Sequence, residues 1–261
     1  MGSINIENGL STLLSRFSDH GISSQKLNAV SEFIQTDLGG YLQIIEKIAH
    51  NKQDDYSEFA AASYNLVNKG SELEQYIDSK LLIKKTKELF RQLVGDWAYQ
   101  SIIVKRAYQK PRGYPGDYAL LEMIYNNVPL TSKSNKIGYY FDKLFLSNGL
   151  AVAVRERKDR ISKDLGSLIN GSKDREINII NFASGSAREL KALKTGASLI
   201  NKKITISCVD FDEESLAFAR KQLEADKGID FVFLKKDIVK AIKERAFIKE
   251  GGGQQAVYSI G

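Results

Sequence analysis

This 261-residue chain predicts an α/β protein whose sheet is preceded by an all-helical region. Three observations carry that expectation. Apolar residues recur at helical spacing up to about residue 108, the prolines fall in one short central stretch, and from residue 176 short β-branched runs alternate with helix-length segments. Such alternation implies a parallel sheet with helical crossovers.

In the first region, 1–108, Leu27, Val30, Ile34, Leu38, Tyr41, Ile45 and Ile48 form one stripe, which the pair Gly39-Gly40 is expected to interrupt. Leu73, Tyr76, Ile77 and Leu81 begin a second stripe, continued by Phe90, Leu93, Val94 and Trp97. No proline precedes Pro111, so long helices are permitted. The stripes read as a helical bundle packing on itself.

The second region, 109–261, opens on KPRGYPGDYALLEMIYNNVP (110–129), which holds all three prolines. Pro111 and Pro115 break helix, while Gly113 and Gly116 permit unusual backbone angles. A shaped loop should result, entering a helix at Asp117, whose side chain is suited to cap it. Arg112, Tyr114, Asp117 and Tyr118 read equally as a capped turn with aromatic packing or as a recognition loop over a small polar ligand.

A helical stretch from Tyr139 to Ile169 follows, then strands at 176–182, 204–209, 230–234 and 256–260. Helices are expected at 187–193, 213–223 and 238–247, the second with Asp212 as N-cap and two acids in its first turn. The run Gly251-Gly252-Gly253 reads as the loop before the last strand.

Composition bounds the function. Hydrophobic residues at 43% and charged residues at 27% describe a globular chain able to bury a core. The formal charge of +6 does not make a polyanion site, because the basic residues are interleaved with acids: Lys84, Lys85, Lys87 with Glu88, and Arg155, Arg157, Lys158 with Glu156 and Asp159. No basic stripe with interleaved aromatics argues for nucleic acid. The single cysteine, Cys208, lies in an apolar run and reads as core packing in a reducing compartment. With His20 and His50 far apart, no metal site assembles. No apolar run approaches the roughly 20 residues of a membrane span and no leader is evident, so a cytoplasmic location is expected.

Ligands of open parallel sheets bind beyond the carboxyl ends of the strands, which singles out four places. Ala183, Ser184 and Gly185 follow the first strand, where small residues let the backbone approach a ligand. Asp210 ends the second strand, where a carboxylate suits the two hydroxyls of a ribose. Phe211 beside it offers a face to adenine. Asp237, past the third strand, suits an exocyclic adenine amine, with Ile238 packing on the ring. Ser259, in YSIG at the fourth strand's end, faces the reactive end of such a ligand. A G-x-G-x-x-G is lacking after the first strand, which argues against a nicotinamide-dependent oxidoreductase. The four strand ends in this order point to a Rossmann-like class I methyltransferase core with S-adenosylmethionine as cofactor.

The chain resembles a bacterial family of class I S-adenosylmethionine-dependent methyltransferases, the makers of the extracellular factor 3-hydroxypalmitic acid methyl ester. LFRQLVGDW (89–97), KPRGYPGDYALLEMIY (110–125), AVRERKDRI (153–161), NFASGSAREL (181–190), VDFDEESLAFA (209–219) and VYSIG (257–261) carry the resemblance. Its most specific element is RGYPGD. The family often shows ACGPxRE in the first glycine loop; here Ser184 and Ser186 stand at the cysteine and proline places. The resemblance implies that Ala183, Ser184 and Gly185 line the methionine side, Asp210 holds the ribose and Asp237 the adenine. Arg112, Tyr114 and Asp117 would close over the reactive centre. It further implies that the sheet continues beyond this chain's fourth strand, leaving an open edge for a partner or a second copy.

The expected activity is methyl transfer to a small acceptor such as the carboxylate of a hydroxy fatty acid. A carboxylate is already nucleophilic and needs no strong base, and Arg112 would pair with it. The alternative expectation is a cofactor-binding or interaction module without turnover.

Overall fold

The computed structural model describes residues 5–17, 21–191, 193, 202–223, 228–243 and 256–259. His20, the Gly251-Gly252-Gly253 run, Ile260 and Gly261 lie outside the described residues. The chain divides into two compact units: residues 1–109 with 129–146, and residues 110–128 with 147–261.

The first unit is helical, with α1 (Ile6–Phe17), α2 (Ser24–Glu32), α3 (Gly39–His50), α4 (Tyr56–Tyr76), α5 (Lys80–Ala98), α6 (Ile102–Gln109) and most of α8 (Lys136–Ser147). The glycine pair does not interrupt the first stripe. A π-helical segment, Phe33–Leu38, joins α2 to α3, and Gly39 keeps right-handed angles of φ −60 and ψ −46. This local change of pitch keeps Val30, Ile34, Leu38, Tyr41, Ile45 and Ile48 all buried.

The second stripe belongs to two helices. Chain direction changes at Ile77–Ser79, and the Ser79 hydroxyl caps α5 by accepting the Leu82 N–H at 3.3 Å. Leu82, Leu89, Leu93 and Val94 consequently face the core, whereas Leu81 is half exposed.

Residues 129–146, placed by sequence with the C-terminal region, belong to the helical unit for a visible reason. Asp142 is completely buried; it accepts the N–H of Ile103, Leu130 and Thr131 at 2.6 to 3.2 Å and the Ser101 hydroxyl. Lys136 donates to the carbonyls of Ile48 in the last turn of α3 and of Asn51 and Gln53 in the segment that follows it. Tyr140 donates to Asp54 at 2.6 Å and accepts the Asp55 N–H.

The second unit is α/β. It holds α7 (Tyr118–Asn126), α9 (Gly149–Gly171), β1 (Glu176–Phe182), α10 (Arg188–Lys191), β2 (Lys203–Asp210), α11 (Glu213–Leu223), β3 (Ile229–Lys235), α12 (Ile238–Lys243) and β4 (Ala256–Ser259). Asn148 divides the long helical stretch by capping α9 through the Ala151 N–H at 2.8 Å. The described strands form one parallel sheet in the order β3-β2-β1-β4. Ile177, Ile179, Ile204, Ile206 and Cys208 pack against Leu165 and Ile169 of α9 and Leu216, Ala219 and Leu223 of α11. Each fully buried isoleucine contributes about 1.5–3 kcal/mol. Burial pushes the Cys208 thiol up to about 12, so it is an unreactive core residue.

Candidate functional site

Register brings the strand ends together. Phe182 of β1 pairs with Val209 of β2 on one side and Ser259 of β4 on the other, while Asp210 pairs with Lys235 of β3. The loop after β1 therefore emerges beside Asp210 and Ser259.

That loop has an unusual backbone. Ala183 (φ 51), Gly185 (φ 54) and Ala187 (φ 51) are all left-handed. The two alanines each cost about 1–2 kcal/mol in that region, a strain the surrounding contacts maintain. Ser184 extends the strand pairing through its N–H to Val209 O at 3.2 Å, and Ala187 N–H closes the turn on Ser184 O at 2.9 Å. The Ser184 hydroxyl is buried without a hydrogen-bond partner among the described residues. A Cβ built on Gly185 meets nothing within 4 Å, so space lies beside the loop.

Asp210 is buried at 5% exposure. One carboxylate oxygen accepts the Gly185 N–H at 2.8 Å and the other the Asp212 N–H at 2.9 Å. Asp210 thus ties the ends of β1 and β2, and each oxygen retains a lone pair. Phe211 next to it is 56% exposed. Asp237 is exposed and caps α12, one oxygen accepting the N–H of Val239 and Lys240. Ile238 is half-buried and Ser259 exposed.

The RGYPGD loop, with Gly113 and Gly116 at φ 82 and 71, lies in this unit. Its residues meet Asp212, which sequence reading treated only as a helix cap. The Arg112 guanidinium engages both Asp212 oxygens, one at 2.5 Å, and reaches Glu214 at 2.5 Å. Tyr114 OH donates to Asp212 at 3.0 Å, and its ring stands against Phe211 with centroids 5.3 Å apart. Asp212 also caps α11 through the N–H of Glu214 and Ser215. Burial pushes Asp212 up, but the bonds from Arg112 and Tyr114 outweigh it and hold the carboxyl below its ordinary value. Burial, reinforced by the bond to Asp212, pushes the Tyr114 phenol up to about 12. Asp117 is buried and caps α7 by accepting the Leu120 N–H at 2.9 Å.

Sequence reading missed a buried acid. Glu189, 1% exposed, accepts Asn181 Nδ2 at 2.8 Å and Tyr258 OH at 2.9 Å. Burial pushes its carboxyl up to about 7. Asn181 and Tyr258 are register partners on β1 and β4. The signal was present: Asn181 is a polar residue inside a β-branched run, and such a residue needs a buried partner.

Comparison with protein-family models, with curated proteins and with solved structures gave no match. Among the described residues no group of three or more His, Cys, Asp or Glu could hold a metal ion, and no helix is long and apolar enough to cross a membrane.

Proposed function

We propose that the second unit binds S-adenosylmethionine at the carboxyl ends of β1, β2 and β3 and serves methyl transfer to a small acceptor. The observation that carries this reading is the Asp210 carboxylate, buried between two loops with one lone pair left on each oxygen. The strand order β3-β2-β1-β4 supports it, since it matches the first four strands of the doubly wound order 3-2-1-4-5-6.

The residues present fit the cofactor. Asp210 would accept the two ribose hydroxyls and Phe211 would offer its exposed ring to the adenine. Asp237 retains an oxygen for the adenine amine, with Ile238 beside it. Ala183, the Ser184 hydroxyl, unpartnered among the described residues, and Gly185 would line the methionine side, and Ser259 would face the reactive end. The bound group supplies an electrophilic methyl on sulfonium.

Arg112 takes a different part from the one first expected. Its guanidinium is engaged by Asp212 and Glu214, so its work is to fasten the loop next to Phe211. With Tyr114 it positions that ring, while Asp117 fixes the start of α7. Orientation and exclusion of water are what such a loop contributes. A hydroxy fatty acid carboxylate remains the first acceptor to test, because it needs no base.

The internal saturation of Arg112, Tyr114 and Asp117 favours one second reading, a cofactor-binding module without turnover. Calorimetric titration with S-adenosylmethionine and S-adenosylhomocysteine tests the site. Asp210→Ala should weaken binding by about 1–3 kcal/mol. Transfer of labelled methyl to hydroxy fatty acids then separates enzyme from binding module.

A further inference from the structure

We propose that the groove between α4 and α5 in the helical unit is a binding site for a small apolar organic monoanion. The cavity measures about 330 Å³, within the roughly 300–1,000 Å³ of small-molecule sites. Leu66, Leu73 and Ile77 of the α4 side face Ile83 and Phe90 of α5, with Phe33 also in the lining.

Gly70 indicates that the space is kept open. It stands inside the 21-residue α4, where glycine costs about 0.5–1 kcal/mol relative to alanine. A Cβ built there would lie 3.6 Å from Phe33 Cζ, an ordinary contact. Packing of the helices therefore does not demand glycine at this position. Its missing side chain leaves the groove accessible over the Phe33 ring.

Charge defines the head group. Glu74, Lys87 and Arg91 line the same groove. Glu74 is neutralised by Lys87 at 2.8 Å. Arg91, exposed one turn further along α5, makes no hydrogen bond or ion pair with any described residue, and neighbouring Glu88 is held by Lys85 at 2.6 Å. Two cations against one carboxylate leave a single positive charge beside an apolar slot. A hydrocarbon or aromatic body carrying one carboxylate or sulfonate complements both features.

The test uses two fluorescent dyes with the same aromatic body, the anionic anilinonaphthalenesulfonate and the uncharged phenylnaphthylamine, titrated into the full chain. One-to-one binding of both dyes is expected. Arg91→Gln should weaken the sulfonate about tenfold, the equivalent of one charge-assisted hydrogen bond, and leave the uncharged dye unchanged. Gly70→Leu, which favours the helix, should weaken both dyes while the far-UV melting temperature holds or rises. Absence of dye binding, equal effects of Arg91→Gln on the two dyes, or indifference of both dyes to Gly70→Leu would overturn the proposal.

Discussion

The Asp210 carboxylate accepts the Gly185 N–H at 2.8 Å, so a residue ending one strand fixes the left-handed loop that follows its neighbour. The two strand-end signals read separately from sequence are thus parts of one feature. Asp210→Asn should therefore loosen the loop as well as the proposed ligand site, because an amide offers only one acceptor oxygen. Backbone hydrogen exchange at Gly185 and Asp212 should accelerate in that variant; unchanged protection would show that the bond is not holding the loop.

Arg112 and Asp212 give a second prediction. Asp212 sits below its ordinary value of 3.8 because Arg112 and Tyr114 outweigh burial. The stability it contributes is present above the unfolded value and is lost as pH falls through the lower folded value. With Arg112→Gln, burial acts with less opposition, and the Asp212 carboxyl should titrate at a higher pH. Carboxyl-carbon NMR measures this directly. An unmoved titration would mean that the guanidinium does not hold Asp212 in solution.

Glu189 acts in the opposite sense. Its folded value of about 7 lies above the ordinary 4.5, so its contribution is full below about pH 4.5 and is lost as pH rises through about 7. Glu189→Gln keeps acceptors for Asn181 and Tyr258 but never ionises. The variant should match the parent melting temperature in acid and exceed it above neutrality. Thermal unfolding at both ends of that window decides, and an equal offset at the two pH values would rule the titration out.

Asp142 anchors the helical unit. Asp142→Ala takes the acceptor from three backbone N–H groups and the Ser101 hydroxyl, those of Ile103, Thr131 and Ser101 in buried surroundings. Donors left without an acceptor cost about 1–3 kcal/mol each, so a loss of several kcal/mol is expected, read by denaturant unfolding. A loss below about 1 kcal/mol, typical of a surface pair, would show that water replaces the carboxylate.

Local chemistry was legible in the sequence and distant pairing was not. Asp117 and Asp212 announce helix starts because capping acts over three residues, and the strands announce themselves through β-branched runs. The Arg112–Asp212 pair joins residues 100 apart, a relation that no spacing rule encodes. Gly39 continues the helix where an interruption is expected, because glycine's helix penalty is small and the core contacts of Ile34 and Leu38 outweigh it. Residues 129–146 join the helical unit through Asp142 and Lys136, whose partners lie up to 88 positions away. Asn181, a polar residue inside a β-branched run, is a readable sign of the buried Glu189 cluster.

The central claim, a nucleoside site at Asp210 and Phe211, is tested most directly by calorimetric titration of the parent chain and Phe211→Ala with S-adenosylhomocysteine. The Phe211 ring is 56% exposed, so its removal should leave the melting temperature nearly unchanged. Micromolar binding that Phe211→Ala weakens by about 1–3 kcal/mol, the worth of one base stacked on an aromatic ring, is the predicted result. A folded parent chain that takes up no S-adenosylhomocysteine, or one whose binding ignores Phe211→Ala, would contradict it.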